Sequence, residues 1–162
     1  MQMELSSHSK KLKSDVFRST KRYGHEVGFS CAFRQWKADS HCNLLHGYAL
    51  AFTFTFEATE LDHRNWVVDF GGLKALKNML EKTYDHKVVV AEDDPYLFEF
   101  QNLDRLGVLE LVTLPKTGCE QFAAHAYELA MAVLKRDGFY PRCRVVKVEV
   151  AEHGANSAIY IP

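Results

Sequence analysis

Between Ser40 and Leu50 the chain reads SHCNLLHGYAL, which places His41, Cys42, His46 and Tyr48 within a few residues of one another. A thiol beside imidazoles can serve as a base or a nucleophile, because a neighbouring positive charge favours the reactive thiolate. Spacing alone leaves the alternative open that Cys42 is a small buried apolar group, as most free cysteines are. His46 and Tyr48 are two positions apart, so on an extended strand they share a face. Two histidines at such positions would supply half of a catalytic zinc site, which needs three converging protein ligands and an open position. A phenol is an uncommon ligand and must first lose its proton.

Three further groups carry chemistry. Asp85 and His86, in YDHK, stand at the end of a predicted helix, where an adjacent acid and imidazole can relay a proton; a histidine there is also an ordinary helix cap. Glu120 opens a later helix, where the helix dipole favours an acid in any case. Glu152 closes a strand just before HGANS. A carboxylate at a strand end can accept two parallel hydrogen bonds from an amidine-like edge, such as the amino and ring NH groups of a pterin or guanine.

These residues need elements to hold them. GHEVGFSCAF, residues 24–33, reads as a first strand, and residues 34–42 as a loop. From His46 the pattern alternates strictly, with His46, Tyr48, Leu50, Phe52, Phe54 and Phe56 on one face and Gly47, Ala49, Ala51, Thr53 and Thr55 on the other. WVVDF reads as a short strand whose Asp69 caps a helix over 72–84, with Leu73, Leu76, Leu80 and Tyr84 in helical spacing. AEDDP is a turn and GVLELVTL a strand. A second helix carries Phe122, Ala126, Leu129 and Val133 and stops at Gly138. RVVKVEVAEH, GANS and AIYI form a closing hairpin. The expected class is α+β, with segregated helices.

The chain has 162 residues, 47% hydrophobic and 25% charged, which suits one domain with its own core. A net charge of -1 gives no general attraction to nucleic acid or an anionic membrane. The four cysteines lack CxxC spacing and the start has no signal-like apolar run, so a reduced, cytoplasmic setting is expected. Residues 1–23 read as a basic arm, loosely docked, ahead of a single domain over 24–162.

Taken together the motifs resemble the 6-pyruvoyl-tetrahydropterin synthase and 6-carboxytetrahydropterin synthase family, from about Gly24 to Ile161. Where the family has FSAAH, a loop cysteine, HGH and W-x-x-D-F-x-x-L-K, this chain has FSCAF, Cys42, HGY and WVVDFGGLK. Asp85 and His86, Glu120 in KTGCEQFA, and Glu152 match the family's Asp-His pair, helix-start glutamate and hairpin glutamate. The departures fall on the metal. Of three family histidines, only His46 is kept; Phe33 and Tyr48 replace the others. TGC also replaces the usual Pro and Thr before Glu120.

The resemblance implies a tunnelling fold: an antiparallel sheet with two helices on one face, its subunits closing a barrel as trimers or paired trimers. It implies a lyase acting on 7,8-dihydroneopterin triphosphate, of the 6-carboxytetrahydropterin synthase type that serves 7-deazaguanine (queuosine-type) synthesis. Cys42, Asp85 and His86 would be catalytic, and Glu152, Glu120 and Tyr48 would contact substrate. Zinc, with no organic cofactor, is the implied metal. Here it would keep His46, with His41 a weaker ligand and Cys42, Cys31 or Tyr48 the remaining recruits. Two alternatives stand beside this: a homologue that binds a pterin or purine without turning it over, and a metal-free relative performing an aldolase-like, epimerising or 6-pyruvoyl-tetrahydropterin synthase-like step.

Overall fold

A computed structural model describes residues 15–162. The basic residues Lys10, Lys11 and Lys13 lie outside that range. Arg18, Lys21 and Arg22 lie inside it, in strand β1 (Phe17–Tyr23), which pairs antiparallel with β3 (His46–Ala58). The sheet therefore begins before Gly24, a correction to the loosely docked arm. Tyr23, Lys21 and Ser19 sit opposite Phe52, Phe54 and Phe56, and Tyr23 is itself core. The stretch expected as one strand over 24–33 is half turn, closed by a hydrogen bond from Val27 N–H to Gly24 O (3.0 Å). The strand proper is β2, Phe29–Phe33.

β3 organises the molecule. At 13 residues it is long enough for β2 and β1 to lie end to end along one edge, while β6 (Cys143–His153) takes the other and β7 (Asn156–Tyr160) follows in a hairpin. Leu50, Phe52, Phe54 and Phe56 are wholly buried. They pack under helices α1 (Lys74–Tyr84) and α3 (Cys119–Arg136), whose Leu76, Leu80, Tyr84, Phe122 and Ala126 are equally buried. Each large apolar side chain removed from water contributes about 1.5–3 kcal/mol, so this single face of β3 is the main source of the fold's stability. Ring contacts at 5.6 Å (Phe29–Phe52), 5.0 Å (Phe52–Tyr84) and 5.2 Å (Tyr84–Phe122) tie strand to helix.

The far side of β2 departs from expectation. β4 (Lys87–Ala91) runs parallel to β2, and β5 (Leu111–Leu114) parallel to β4, with α2 (Leu97–Arg105) joining them. The sheet is thus mixed and the described residues hold three α-helices, correcting an antiparallel sheet with two helices. WVVDF is not a strand. Val67 and Val68 are buried, but the carbonyls of Glu60, Trp66 and Val67 accept hydrogen bonds from the Arg142 guanidinium at 2.9, 3.3 and 3.0 Å. With those acceptors satisfied by a side chain, the segment has no need of a strand partner. Asp69 does cap, accepting from Gly71 N–H at 2.9 Å as the chain enters a short 3-10 turn ahead of α1. Among the described residues no helix is long and apolar enough to cross a membrane.

Candidate active site

The pairing of β2 with β3 sets Cys31 opposite Tyr48 and Phe33 opposite His46. The rings of Phe33, His46 and Tyr48 form one aromatic surface, with centroids 5.1 Å apart for Phe33–His46 and 5.5 Å for His46–Tyr48. From the neighbouring strand, the ring of His153 comes to 5.8 Å from that of Tyr48, where β6 is irregular between Ala151 and His153. Glu152 occupies that irregularity. α3 enters from above, and Phe122 packs edge-on to Phe33 at 5.0 Å.

Electrostatics locate the polar groups relative to one another. The Tyr48 hydroxyl is pushed above its ordinary pKa by burial first, then by the negative charges of Glu152, Cys42 and Cys119. Cys119, at the start of α3, is raised to about 12 by burial, by the charges of Glu152 and Glu120, and by a hydrogen bond from its thiol to Glu152. The charges of Glu152, Cys42 and Cys119 thus all reach the Tyr48 hydroxyl, and Cys119 is a neutral thiol at neutral pH. Cys31 faces the core and is raised to about 12 by burial. Of the four cysteines, Cys42 alone is not buried.

Cys42 sits in a 3-10 turn, His41–Asn43, with its amide donating to Ser40 Oγ at 3.3 Å. Its carbonyl accepts from Gln35 N–H at 2.9 Å. The loop after β2 is in turn clamped to the turn after β4. The Arg34 guanidinium pairs with the fully buried carboxylate of Asp94 at 2.9 Å, and Trp36 Nε1–H and Lys37 Nζ donate to Asp93 at 3.1 and 2.8 Å. Thr117 Oγ1 donates to Arg34 O at 2.6 Å, joining the approach to α3. Gly118 has a φ of 109, and a Cβ there would stand 2.6 Å from Gln35 Nε2. That φ is strained for any residue with a Cβ, so the turn calls for glycine. A cavity of about 190 Å³ lined by Gln35, Trp36, Lys37, Asp93 and Lys116 opens beside this junction.

His46 donates from Nδ1 to Leu44 O at 2.7 Å, so the neutral ring carries its lone pair on Nε2. His41 is exposed in the Cys42 turn. Glu120 is exposed in the first turn of α3, close enough for its charge to act on Cys119. Asp85 and His86 form a pair, but elsewhere. Asp85 Oδ1 accepts from His86 Nδ1–H at 2.9 Å and from Ser30 N–H at 3.1 Å, while His86 N–H donates to Ser30 O at 2.7 Å. These bonds hold His86 at a φ of 57, with its side chain 82% exposed. Within one chain the pair is anchored on Ser30 rather than on the Cys42 turn.

A family profile described as 6-pyruvoyl tetrahydropterin synthase matches residues 24–162. The chain belongs to that family. It is 27% identical over 149 residues to a 6-carboxy-5,6,7,8-tetrahydropterin synthase of Aquifex aeolicus (strain VF5), covering 85% of this chain and 90% of that protein. Among solved structures, an uncharacterized protein of Wolinella succinogenes superposes with a TM-score of 0.76 at 20% identity, covering 91% of this chain and 99% of the other. The 6-pyruvoyl tetrahydropterin synthase of Caenorhabditis elegans superposes with a TM-score of 0.60 at 18% identity, covering 91% and 96%. These likenesses extend the fold to the described sheet and helices.

Members of the 6-pyruvoyl tetrahydropterin synthase family typically depend on zinc, and the residues here do not fit it. Phe33 is 1% exposed, carries no donor atom and is closed in by Phe122. Cys31 points into the core, and Tyr48 holds its proton. Among the described residues no three His, Cys, Asp or Glu side chains converge to hold a metal ion. His46 and His41, named as ligands from the sequence, thus have no third partner.

Cys119, His153 and Gln35 are site residues that the sequence reading passed over. Cys119 had a signal, since it lies in the TGC that departs from the family pattern. His153 follows Glu152 directly, and only the strand irregularity turns both toward one place.

Proposed function

We propose that this chain is a pterin-converting lyase of the 6-carboxytetrahydropterin synthase type, acting on 7,8-dihydroneopterin triphosphate in 7-deazaguanine synthesis. The aromatic surface of Phe33, His46, Tyr48 and His153 carries the reading: Cys42, the one of the four cysteines that is not buried, and Glu152, beside His153 on β6, both bear on its Tyr48 hydroxyl. Glu152 accepts two hydrogen bonds from the amino and ring NH edge of the pterin. Cys42, as thiolate, takes a proton from the side-chain carbon next to the ring, and the electron pair passes into the ring. Glu120 contributes at the substrate's edge near Cys119.

The Asp85–His86 pair completes the relay for a second copy. Asp85 fixes the imidazole through Nδ1–H and leaves Nε2 on a ring that is open to a neighbouring copy. This supports a homo-oligomer, a trimer or hexamer whose barrel is lined by the small face of β3. The name of the Aquifex relative favours the 6-carboxy over the 6-pyruvoyl product.

A second reading, a homologue that binds the pterin without converting it, is favoured by Phe33 in a ligand's place. Incubation with 7,8-dihydroneopterin triphosphate, read by product mass, separates the two. A 6-carboxytetrahydropterin product supports the lyase; tight binding with no product supports the binder.

A further inference from the structure

We propose that this site works without a resident metal, the Tyr48 hydroxyl donating a hydrogen bond to the side-chain oxygen of the substrate. The proposal rests on the functional reading above for its substrate, a pterin with a hydroxylated side chain.

Phe33, His46 and Tyr48 share one surface, and their donor capacity differs. Phe33 offers none and is sealed by Phe122 at 5.0 Å. His46 has already committed its Nδ1–H to Leu44 O, so its neutral ring presents an acceptor. Tyr48 lies next to it, ring to ring at 5.5 Å, and brings an O–H. No hydrogen bond from that hydroxyl to another protein group is formed among the described residues, whereas the buried phenol of Tyr84 is paired with His125 at 2.8 Å. A half-buried hydroxyl set between the rings of His46 and His153, with no protein partner of its own among the described residues, is a donor waiting for a ligand oxygen.

The chemistry this allows is self-contained. The C–H bond next to the ring breaks, its proton goes to Cys42 Sγ, and its electron pair passes into the adjoining C=N bond, whose nitrogen takes a proton from water. The hydrogen bond from Tyr48 to the hydroxyl oxygen on that carbon draws charge from it as the proton leaves. No oxidant, reductant or Lewis acid is required for the isomerisation.

The test compares two ligands and two kinds of variant in the full chain. Neopterin carries the hydroxylated side chain and 6-methylpterin does not. Tyr48→Phe should weaken neopterin roughly 5-fold, as loss of one hydrogen bond does, and leave 6-methylpterin unchanged. Zinc content after dialysis against the metal should be well below one per wild-type chain. It should rise towards one in Phe33→His/Tyr48→His, with Tyr48→His alone as the control should the double variant not fold. Equal loss for both pterins, no loss for either, or stoichiometric zinc in the wild type would overturn the proposal. If the wild type bound neither pterin, the functional reading itself would fall. Binding of both with no discrimination by Tyr48→Phe would fell this inference alone.

Discussion

Phe33 and His46 face each other across the β2–β3 ladder with ring centroids 5.1 Å apart, so an imidazole suited to a metal is backed by a ring that cannot share one. That pairing divides the site into a part that matches its family and a part that does not. Phe33, His46 and Tyr48 together make a surface that is aromatic and hydroxylic.

The Arg34–Asp94 ion pair should be the main support of the Cys42 loop. Asp94 is fully buried, so Asp94→Ala leaves the guanidinium uncompensated and should destabilise the chain by about 3 kcal/mol. Urea unfolding at neutral pH measures this, and a loss below about 1 kcal/mol would show that the loop is held by its other contacts.

Alkali should unfold the protein through its buried thiols. Cys31 and Cys119 are raised from 9.0 to about 12, and Cys143 from 9.0 to about 11. A raised folded pKa means that the unfolded chain gives up the proton first. The stabilisation is complete below pH 9 and declines above it, by up to about 1.4 kcal/mol per pH unit for each thiol until its folded value is reached. Urea midpoints should hold between pH 8 and pH 9 and fall progressively at pH 10 and 11, and Cys31→Ala should show a shallower fall than wild type.

Glu152 should govern pterin affinity. Glu152→Gln keeps the shape but loses the charge and one acceptor, and should weaken pterin binding by about 2 kcal/mol. Fluorescence titration with neopterin reads this directly, and unchanged affinity would remove Glu152 from the pterin edge.

Mixing Cys42→Ala with His86→Ala chains tests whether the relay crosses between copies. Each variant alone should be inactive. Random mixing in a symmetric ring pairs an intact Cys42 with an intact neighbouring His86 at about a quarter of sites, so about a quarter of wild-type activity should return. No recovery after co-refolding would place His86 in the service of its own chain.

Much of the fold was legible because β3 alternates so strictly: Leu50, Phe52, Phe54 and Phe56 named the core face, and Leu76, Leu80 and Tyr84 named the helix that covers it. What was hidden depends on long-range pairing. KVVVA lacks alternation, as suits a short parallel strand between two neighbours, and so reads like any apolar run. WVVDF carries strand-forming residues, yet Arg142, far along the chain, satisfies its carbonyls. In the site, Cys42, Glu120 and Glu152 could be picked out by type and position. That the charge of Glu152 bears on Cys119, and that Asp85 and His86 are tied to Ser30, depends on contacts that no local pattern encodes.

If Cys42 drives turnover of a pterin triphosphate, product mass from 7,8-dihydroneopterin triphosphate with wild type and Cys42→Ala will show it. Wild type should yield a 6-carboxytetrahydropterin product, and Cys42→Ala should lose at least about 100-fold in kcat with binding retained. Binding by both proteins with turnover by neither would contradict it.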